Sequence, residues 1–169
     1  MTLGQPTATV QLDEYGDFQC TSCESFFQGT EPQLKSAYID TGRVRLVWHD
    51  FPWIGQESLD AANAARCAAD QGRFWDYHDL LYRSQGGENS GAFSVANLKA
   101  FGAKLGLDAT AFNACVDGNT HLAQVKADLA TAAASGFPGT PTFLLGGQKI
   151  IGAQPFATFA KALDAALAK

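Results

Sequence analysis

The stretch Cys20-Thr21-Ser22-Cys23 decides the fold, because it sets two thiols one helical turn apart where a strand-like run gives way to a helical one. Before it, apolar and polar residues alternate over Thr7–Tyr15, which is the period-two pattern of a strand. After it, Glu24–Tyr38 has the pattern of a helix. Cys20 is therefore expected at a helix N-terminus, where unpaired N–H groups and the helix dipole stabilise a thiolate. The pattern predicts that Cys20 attacks and that Cys23 resolves the mixed disulfide.

Composition and charge describe one ordinary globular domain. The 169 residues are 46% hydrophobic and 17% charged, which is enough for a buried core. The net charge of −5, with basic residues scattered along the chain, argues against nucleic acid or an anionic membrane as a partner. No apolar run approaches the roughly 18 residues that span a bilayer, and Met1–Pro6 lacks the layout of a signal peptide. We expect any export signal or membrane anchor to lie outside this sequence.

The predicted elements follow the order strand, helix, strand, several helices, hairpin and helix. Strands are predicted over Thr7–Tyr15, Arg43–Asp50, Thr142–Leu145 and Lys149–Ile151, with Gly146-Gly147 as a two-residue turn between the last two. The long region between the second and third strands has helical patterns, including Ser58–Asp70 and Phe74–Arg83. Two strands joined by a helix and a closing hairpin predict an α/β fold with a mixed sheet, interrupted by a helical insertion at about residues 57–120.

The two remaining cysteines, Cys67 and Cys115, both fall within the predicted insertion. A pair confined to one segment suits a structural disulfide, which would stabilise the fold by about 4 kcal/mol through the long loop it closes. Such a bond would place the protein in an oxidising compartment. The alternative is that each is a small buried apolar residue. For the first cysteine pair, the alternatives to redox chemistry are a structural disulfide or half of a zinc site. Zinc would need a second closely spaced ligand pair, so we expect no metal.

Four segments of the chain resemble the DsbA-like thiol–disulfide oxidoreductases of the thioredoxin superfamily in their order and spacing. They are Glu14–Cys23 (EYGDFQCTSC), Asp50–Pro52 (DFP), Gln71–Leu81 (QGRFWDYHDLL) and Gly139–Phe143 (GTPTF). The resemblance covers nearly the whole chain and implies a thioredoxin fold interrupted by a helical cap. The sequence departs from the family in one place, because Thr21-Ser22 stands where the strongly oxidising members have Pro-His.

The resemblance also implies roles for residues outside the dithiol. It implies a cis peptide bond between Thr140 and Pro141, facing the cysteines, with the Thr140 backbone pairing with an extended substrate; an X–Pro bond adopts the cis form at a cost of about 0.5–1 kcal/mol. Glu14 lies on the apolar face of its strand, where a carboxyl has a raised pKa, and the family has a proton-relaying acid there. The alternative is a strand-end acid turned to solvent. We expect Asp17, after Gly16, to be a solvated loop acid.

These features together predict a thiol–disulfide oxidoreductase that acts on cysteine-containing proteins outside the cytoplasm, in the periplasm or cell envelope. Cys20 would exchange with the substrate, while Thr21 and Ser22 would supply N–H and hydroxyl donors beside it. The chemistry needs no organic cofactor. The family implies a membrane partner, linked to quinone, that reoxidises the dithiol, and we expect a monomer.

Two alternative functions stay open at this point. The missing histidine of the dipeptide leaves the direction of exchange undecided, so a reductase or isomerase is the first alternative. The second is a non-catalytic binding module that keeps only the fold. The intact Cys20, Cys23 and Pro141 argue against a binding module.

Overall fold

The central sheet of the computed structural model, which describes residues 1–168, has five strands in the order β1-β3-β2-β4-β5. The strands are β1 (Thr2–Leu3), β2 (Val10–Gly16), β3 (Val44–Asp50), β4 (Thr142–Leu145) and β5 (Gln148–Ile151). β2 and β3 run parallel, whereas β1 on β3, β4 on β2 and β5 on β4 are antiparallel. The predicted mixed sheet is therefore confirmed, and so is the hairpin turn, where both glycines have positive φ.

Helices fill the connections between the strands. Between β2 and β3 lie α1 (Thr21–Gly29), α2 (Glu31–Leu34) and a π-helical turn (Lys35–Ile39). Between β3 and β4 lie α3 (Gln56–Ala69), α4 (Phe74–Arg83), α5 (Val95–Lys104), α6 (Ala109–Asp117) and α7 (Leu122–Ala134), and α8 (Phe156–Leu167) follows β5. Among residues 1–168, no helix has the length and apolar character that crossing a bilayer requires.

The helix after the dithiol, the start of β2 and the short strand β1 differ from the sequence prediction. The single helix predicted over Glu24–Tyr38 is wrong, because helical structure starts at Thr21 and is interrupted at Thr30, before α2. Pro32 lies in the first turn of α2, where its missing N–H needs no partner. β2 begins at Val10, since the residues before it form a turn in which Ala8 N–H donates to a carbonyl oxygen. β1 is too short to have a detectable periodicity, and the prediction missed it.

One apolar cluster covers one face of the sheet. Alternate residues of β2 and β3 point to this face and pack against α1, α2 and α8; the cluster includes Val10, Leu12, Leu46, Phe26, Leu34 and Phe159. A second cluster joins the ends of these strands to α3–α6 and contains Phe18, Trp48, both cysteines of the dithiol and the alanines of α3. α7 covers the opposite face through a smaller cluster of Phe51, Ala132 and Phe137.

β2 and β3 end side by side, and this end of the sheet positions the dithiol. Glu14 on β2 is the register partner of Trp48 on β3. A Cβ atom on Gly16 would lie 2.3 Å from the Trp48 ring, so glycine is required for the indole to cross the end of β2. The indole then stacks on Phe18, with ring centroids 4.9 Å apart. This stacking fixes the segment that leads directly into Cys20.

Candidate active site

Cys20 is the N-cap residue of α1, as its position in the sequence predicts. Its extended backbone conformation turns the side chain toward the helix terminus, and Sγ accepts a hydrogen bond from the Cys23 N–H at 3.4 Å. The side chain reaches the molecular surface, with 7% of the residue exposed, whereas Cys23 is fully buried. Both cysteines are free thiols in this structure. A reagent or substrate from solvent can therefore reach Cys20 but not Cys23.

The two thiols have oppositely shifted pKa values. Hydrogen bonding from the Cys23 side chain, together with the backbone N–H groups of Cys23 and Ser22, lowers the pKa of Cys20 to about 6, although burial opposes the shift. Burial and the neighbouring Cys20 sulfur raise the pKa of Cys23 well above its usual value. At neutral pH the reduced pair is therefore a Cys20 thiolate beside a Cys23 thiol, which is the arrangement of a nucleophile with a buried partner.

The loop before β4 faces the dithiol. The Thr140–Pro141 peptide bond is cis, and Cys20 Sγ lies 3.2 Å from the Thr140 carbonyl oxygen, to which it donates a hydrogen bond in its protonated form. The Thr140 hydroxyl accepts a hydrogen bond from Trp53 Nε1 at 3.1 Å. Trp53 is the most exposed large apolar residue in the described part of the chain, at 55%. Its indole forms an exposed apolar surface next to the Thr140–Pro141 loop.

Glu14 lies inside the core, which excludes the alternative of a strand-end acid in solvent. Only 1% of the residue is exposed, and its register partners on the neighbouring strands are Trp48 and Phe143. Burial first, and the charge of Glu31 second, raise the pKa of Glu14 well above the usual range. The charge of Glu14 in turn contributes to the raised pKa of Cys23. A buried carboxyl with a raised pKa is a stronger holder of its proton than a solvated one and is suited to pass that proton to a leaving thiolate.

Glu14 belongs to a group of buried polar side chains. Glu31 on α2 is 6% exposed, and His78 on α4 is fully buried against the Trp48 and Trp75 rings. Four buried atoms here have no hydrogen-bond partner among residues 1–168: Glu14 Oε2, Glu31 Oε2, Trp75 Nε1 and His78 Nε2. Unpaired buried polar atoms are uncommon in proteins and mark either internal water or a functional group. Glu31 also lines a surface groove with Lys35, which links this group to solvent.

The expectation for Asp17 is wrong, because this acid is buried rather than solvated. It is 1% exposed, and its carboxylate accepts hydrogen bonds from Ser58 Oγ at 2.6 Å, from Gln19 N–H at 2.8 Å and from Ile54 N–H at 3.1 Å. Burial raises its pKa, and these donors oppose the rise. The break in the strand at Gly16 does not expose the next residue, because α3 covers the loop. Asp17 therefore fastens the loop before Cys20 to the helical insertion.

Other polar residues of the insertion also hold this loop in place. Tyr82 OH donates to the Asp17 carbonyl oxygen at 3.3 Å, and Gln85 Nε2 donates to the Phe18 carbonyl oxygen at 2.7 Å. Gln19 Oε1 accepts from the Asn89 N–H at 2.6 Å. These partners are separated in sequence by 65 to 70 residues. No local pattern predicts such contacts, and sequence analysis missed all of them.

The dipeptide between the cysteines contributes through its backbone. The Ser22 N–H is among the groups that lower the pKa of Cys20. The Thr21 carbonyl oxygen accepts from Ser25 Oγ at 2.9 Å within α1. Among residues 1–168, neither the Thr21 hydroxyl nor the Ser22 hydroxyl makes a hydrogen bond, so both are free for a bound substrate.

The remaining cysteines form a disulfide between α3 and α6, as the sequence favoured. The sulfur atoms of Cys67 and Cys115 are 2.02 Å apart, and the bond joins residues 48 positions apart in sequence. Cys67 is 1% exposed and Cys115 is half-buried. The bond links two helices of the insertion and is separate from the Cys20–Cys23 pair.

Comparison with known proteins agrees with this architecture. A family model described as Thioredoxin matches residues 1–165. Oxidised BdbD from Bacillus subtilis superposes with a TM-score of 0.91 over 99% of this chain and 92% of that chain, at 23% sequence identity. At this level of identity the likeness shows the thioredoxin-like fold with its helical insertion.

Curated proteins match over different shares of their length. The "Probable disulfide bond formation protein D" of Bacillus anthracis is 41% identical over 86 residues, which are 50% of this chain and 40% of that protein. The "Na(+)/H(+) antiporter NhaA 1" of Salinispora arenicola is 31% identical over 167 residues, which are 98% of this chain and 24% of that protein. The chain therefore spans less than half the length of these curated relatives.

Proposed function

The chain belongs to the thioredoxin family, and on this premise we propose that it is a DsbA-type thiol–disulfide oxidoreductase that introduces disulfides into exported proteins. The observation that carries the proposal is the pair of thiols at the start of α1. Cys20 is accessible and has a pKa lowered to about 6, while Cys23 is buried and protonated. A low thiolate pKa favours the reduced form of the pair, and a pair that favours its reduced form is an oxidant.

The proposed reaction starts from the Cys20–Cys23 disulfide. A substrate thiolate attacks Cys20 Sγ, the Cys20–Cys23 bond breaks, and Cys23 leaves as a thiolate that takes up a proton. Glu14 is the proposed donor of that proton. A second substrate thiolate then attacks the substrate sulfur of the mixed disulfide and releases Cys20 as a thiolate. The substrate loses two electrons in forming its disulfide, and the enzyme pair gains them.

The proposed substrate is a flexible, cysteine-containing polypeptide. Thr140 and Pro141 lie beside the reactive sulfur, and the exposed Trp53 indole offers an apolar surface next to them. Thr21 and Ser22 add free hydroxyls at the rim. An extended chain placed along the Thr140–Pro141 loop would bring its cysteine to Cys20 and an adjacent apolar side chain to Trp53.

The cellular setting is part of the proposal. A structural disulfide of the Cys67–Cys115 kind persists in oxidising compartments, which supports a periplasmic or cell-envelope location. A membrane protein linked to quinone would reoxidise Cys20 and Cys23, and the domain would act as a monomer. A reductase or isomerase is the second candidate, because Thr21-Ser22 offers no cationic side chain to the Cys20 thiolate.

The test is stoichiometric oxidation of a reduced, unfolded protein that has two cysteines. The oxidised enzyme should transfer its disulfide within one turnover, and mass spectrometry should find one new disulfide in the substrate. Cys20→Ser should abolish the transfer, and Cys23→Ser should trap the mixed disulfide when substrate disulfide is supplied. A wild-type enzyme that leaves the substrate reduced, although its own Cys20–Cys23 bond is intact, would rule out the proposed function.

A further inference from the structure

Two further metal-ligating side chains lie against the Cys67–Cys115 disulfide. A ring nitrogen of His121 and the two cysteine sulfur atoms all lie within 4.8 Å of one another. Asp70 Oδ2 lies 3.9 Å from Cys115 Sγ and 2.7 Å from His121 Nε2. The redox chemistry at Cys20 uses none of these groups.

The scaffold holds this cluster in place from three helices. Cys67 and Asp70 lie one turn apart at the end of α3, and Cys115 lies on α6. His121 is the N-cap residue of α7, and its backbone N–H donates to Asn63 Oδ1 on α3 at 2.9 Å. The start of α7 is therefore tied to the helix that carries two members of the cluster. The backbone positions of Cys67, Asp70 and His121 therefore do not depend on the disulfide alone.

The donor set is the one that zinc prefers. Zn²⁺ binds thiolate sulfur, imidazole nitrogen and carboxylate oxygen in a tetrahedron, at about 2.3 Å for sulfur and about 2.0–2.2 Å for nitrogen and oxygen. These bond lengths give ligand–ligand edges of roughly 3.3–3.8 Å. Asp70 Oδ2 lies 3.9 Å from Cys115 Sγ, close to the length of such an edge, whereas its 2.7 Å distance from His121 Nε2 is that of a hydrogen bond and must lengthen when both atoms bind one ion. The sulfur atoms must part, because they are bonded to each other.

We propose that reduction of the Cys67–Cys115 disulfide converts this cluster into a Zn²⁺ site with Cys67, Cys115, His121 and Asp70 as ligands. A dithiol can supply the two electrons and two protons that the disulfide takes up, and it becomes a disulfide itself. With a phosphine, the phosphine supplies the two electrons, and water supplies the two protons and the oxygen of the phosphine oxide that forms. Binding of Zn²⁺ then replaces the two thiol protons, which pass to solvent. Zinc and the disulfide use the same sulfur atoms, so the site holds either the bond or the metal.

A path from solvent to this site exists. The Asp70 and His121 side chains are 54% and 26% exposed, while Cys67 lies behind them and is 1% exposed. A cation would meet the carboxylate and the imidazole first and the buried thiolate last. The bound metal would hold α3, α6 and the start of α7 together in place of the disulfide. The proposal does not rest on the function proposed for Cys20 and Cys23.

The experiment uses the full chain with Cys20→Ser and Cys23→Ser, so that the only thiols are Cys67 and Cys115. The protein is reduced with a phosphine without oxygen and titrated with Co²⁺, which gives visible absorption bands when bound tetrahedrally by thiolates. We expect the bands to saturate at one equivalent and to disappear when Zn²⁺ is added. The disulfide-bonded form of the same protein should give no bands.

Two substitutions distinguish a four-ligand metal site from cobalt binding by the two thiolates alone. His121→Ala and Asp70→Ala should each weaken Co²⁺ binding at least about tenfold, since even outer-shell partners of a metal have effects of this size. The matched control is His49→Ala, which removes a histidine paired with Asp13 at 2.8 Å on the sheet and should leave binding unchanged.

Circular dichroism spectra at each step show whether the reduced protein keeps its fold, so the titration can be interpreted even if the fold is lost. In that case Zn²⁺ should restore the native spectrum in the protein with all four ligands. The proposal is wrong if the reduced protein, folded or unfolded, gives no thiolate–Co²⁺ bands. It is also wrong if both substituted proteins bind Co²⁺ as tightly as the parent.

Discussion

At the scale of single residues, Cys20 and Cys23 have the same side chain and lie one helical turn apart, but their surroundings differ. Cys20 has access to solvent and backbone donors at the start of α1, while Cys23 faces the core. The pKa of the first thiol falls and that of the second rises. The difference between the two thiols therefore follows from the helix terminus and from burial.

The first prediction concerns the titration of Cys20. The alkylation rate of the reduced protein should fall to half its plateau at a pH of about 6, because only the thiolate reacts. Stopped-flow alkylation between about pH 4 and pH 9 measures the curve, and peptide mapping should find the label on Cys20 alone. Cys20→Ser is the control and should abolish the fast phase. A midpoint near the ordinary cysteine value of about 8.5 would contradict the assignment.

The second prediction concerns the buried acid. Glu14→Gln should slow thiol–disulfide exchange, because an amide cannot donate or accept the proton that leaves or reaches Cys23. Glu31→Gln should act indirectly: removing its charge should lower the pKa of Glu14 and move the pH profile of exchange to lower pH. Rates of exchange with a small disulfide, measured across pH, report both effects.

The matched control for the acid is Glu24→Gln on the exposed part of α1, where the carboxylate only accepts from Gln28 Nε2. It should behave as wild type. If Glu14→Gln also follows the wild-type profile at every pH, Glu14 has no part in the proton transfer.

At the scale of elements, the loop before β4 and the loop after β3 lie side by side next to the dithiol. The hydrogen bond from Trp53 Nε1 to the Thr140 hydroxyl joins the two segments across 87 positions of sequence. The helical insertion holds the facing loop through Asp17, Gln19 and the carbonyl oxygens next to them. The insertion therefore covers the loop that leads into Cys20 and also holds this loop in position.

The third prediction concerns Trp53. Trp53→Ala should lower the rate of oxidation of unfolded protein substrates by about three- to tenfold, because an aromatic contact contributes about 0.5–1.5 kcal/mol. The rate with glutathione should change little, because so small a thiol does not reach the indole. Val95→Ala removes another exposed apolar side chain, on α5, and is the matched control. Equal rates of Trp53→Ala and wild type with protein substrates would exclude Trp53 from substrate binding.

The sequence predicted the elements with local signals and missed those that depend on distant contacts. The dithiol, the hairpin turn and Glu14 each had a pattern within a few residues of themselves. Asp17 looked solvated because a glycine precedes it, and only the packing of α3 against the loop buries it. Glu31 looked like an ordinary helical acid, although its position after the break at Thr30 turns it into the protein. The exposure of Trp53 is likewise a tertiary property.

At the scale of the whole molecule, the thiolate links redox state to stability. The pKa of Cys20 in the reduced native state is about 6, against about 8.5 in an unfolded chain. Between these values the native state binds fewer protons than the unfolded state, so the stability of the reduced form rises with pH. The gain is complete above the unfolded pKa and is lost as the pH falls through the folded pKa. The oxidised form has no thiolate and lacks this gain.

The fourth prediction follows from that difference. The reduced protein should melt at a higher temperature than the oxidised protein at neutral pH, and the gap should grow from about pH 6 to pH 8. The growth is at most about 1.4 kcal/mol per pH unit. The raised pKa values of the buried acids Glu14, Asp17 and Asp50 affect both redox forms. The raised pKa of Cys23 keeps that residue a thiol in the reduced native state over this range, so the growth of the gap with pH reports the Cys20 thiolate. Thermal melts of both forms in matched buffers provide the measurement, and a gap independent of pH would argue against a stabilised thiolate.

The measurement that tests the central claim most directly is the reduction potential of the Cys20–Cys23 pair, determined by equilibration in glutathione buffers. Each unit by which the thiolate pKa is lowered corresponds to about 30 mV for this two-electron couple. Thioredoxin has a thiolate pKa of about 7 and a potential of about −270 mV, and DsbA has about 3.5 and about −120 mV. With a pKa of about 6 at Cys20, this slope, applied from each of these two references, predicts a potential of roughly −195 to −240 mV, which is that of an oxidant stronger than thioredoxin. A potential near the value of thioredoxin, about −270 mV, would contradict the oxidising role and assign the protein to disulfide reduction.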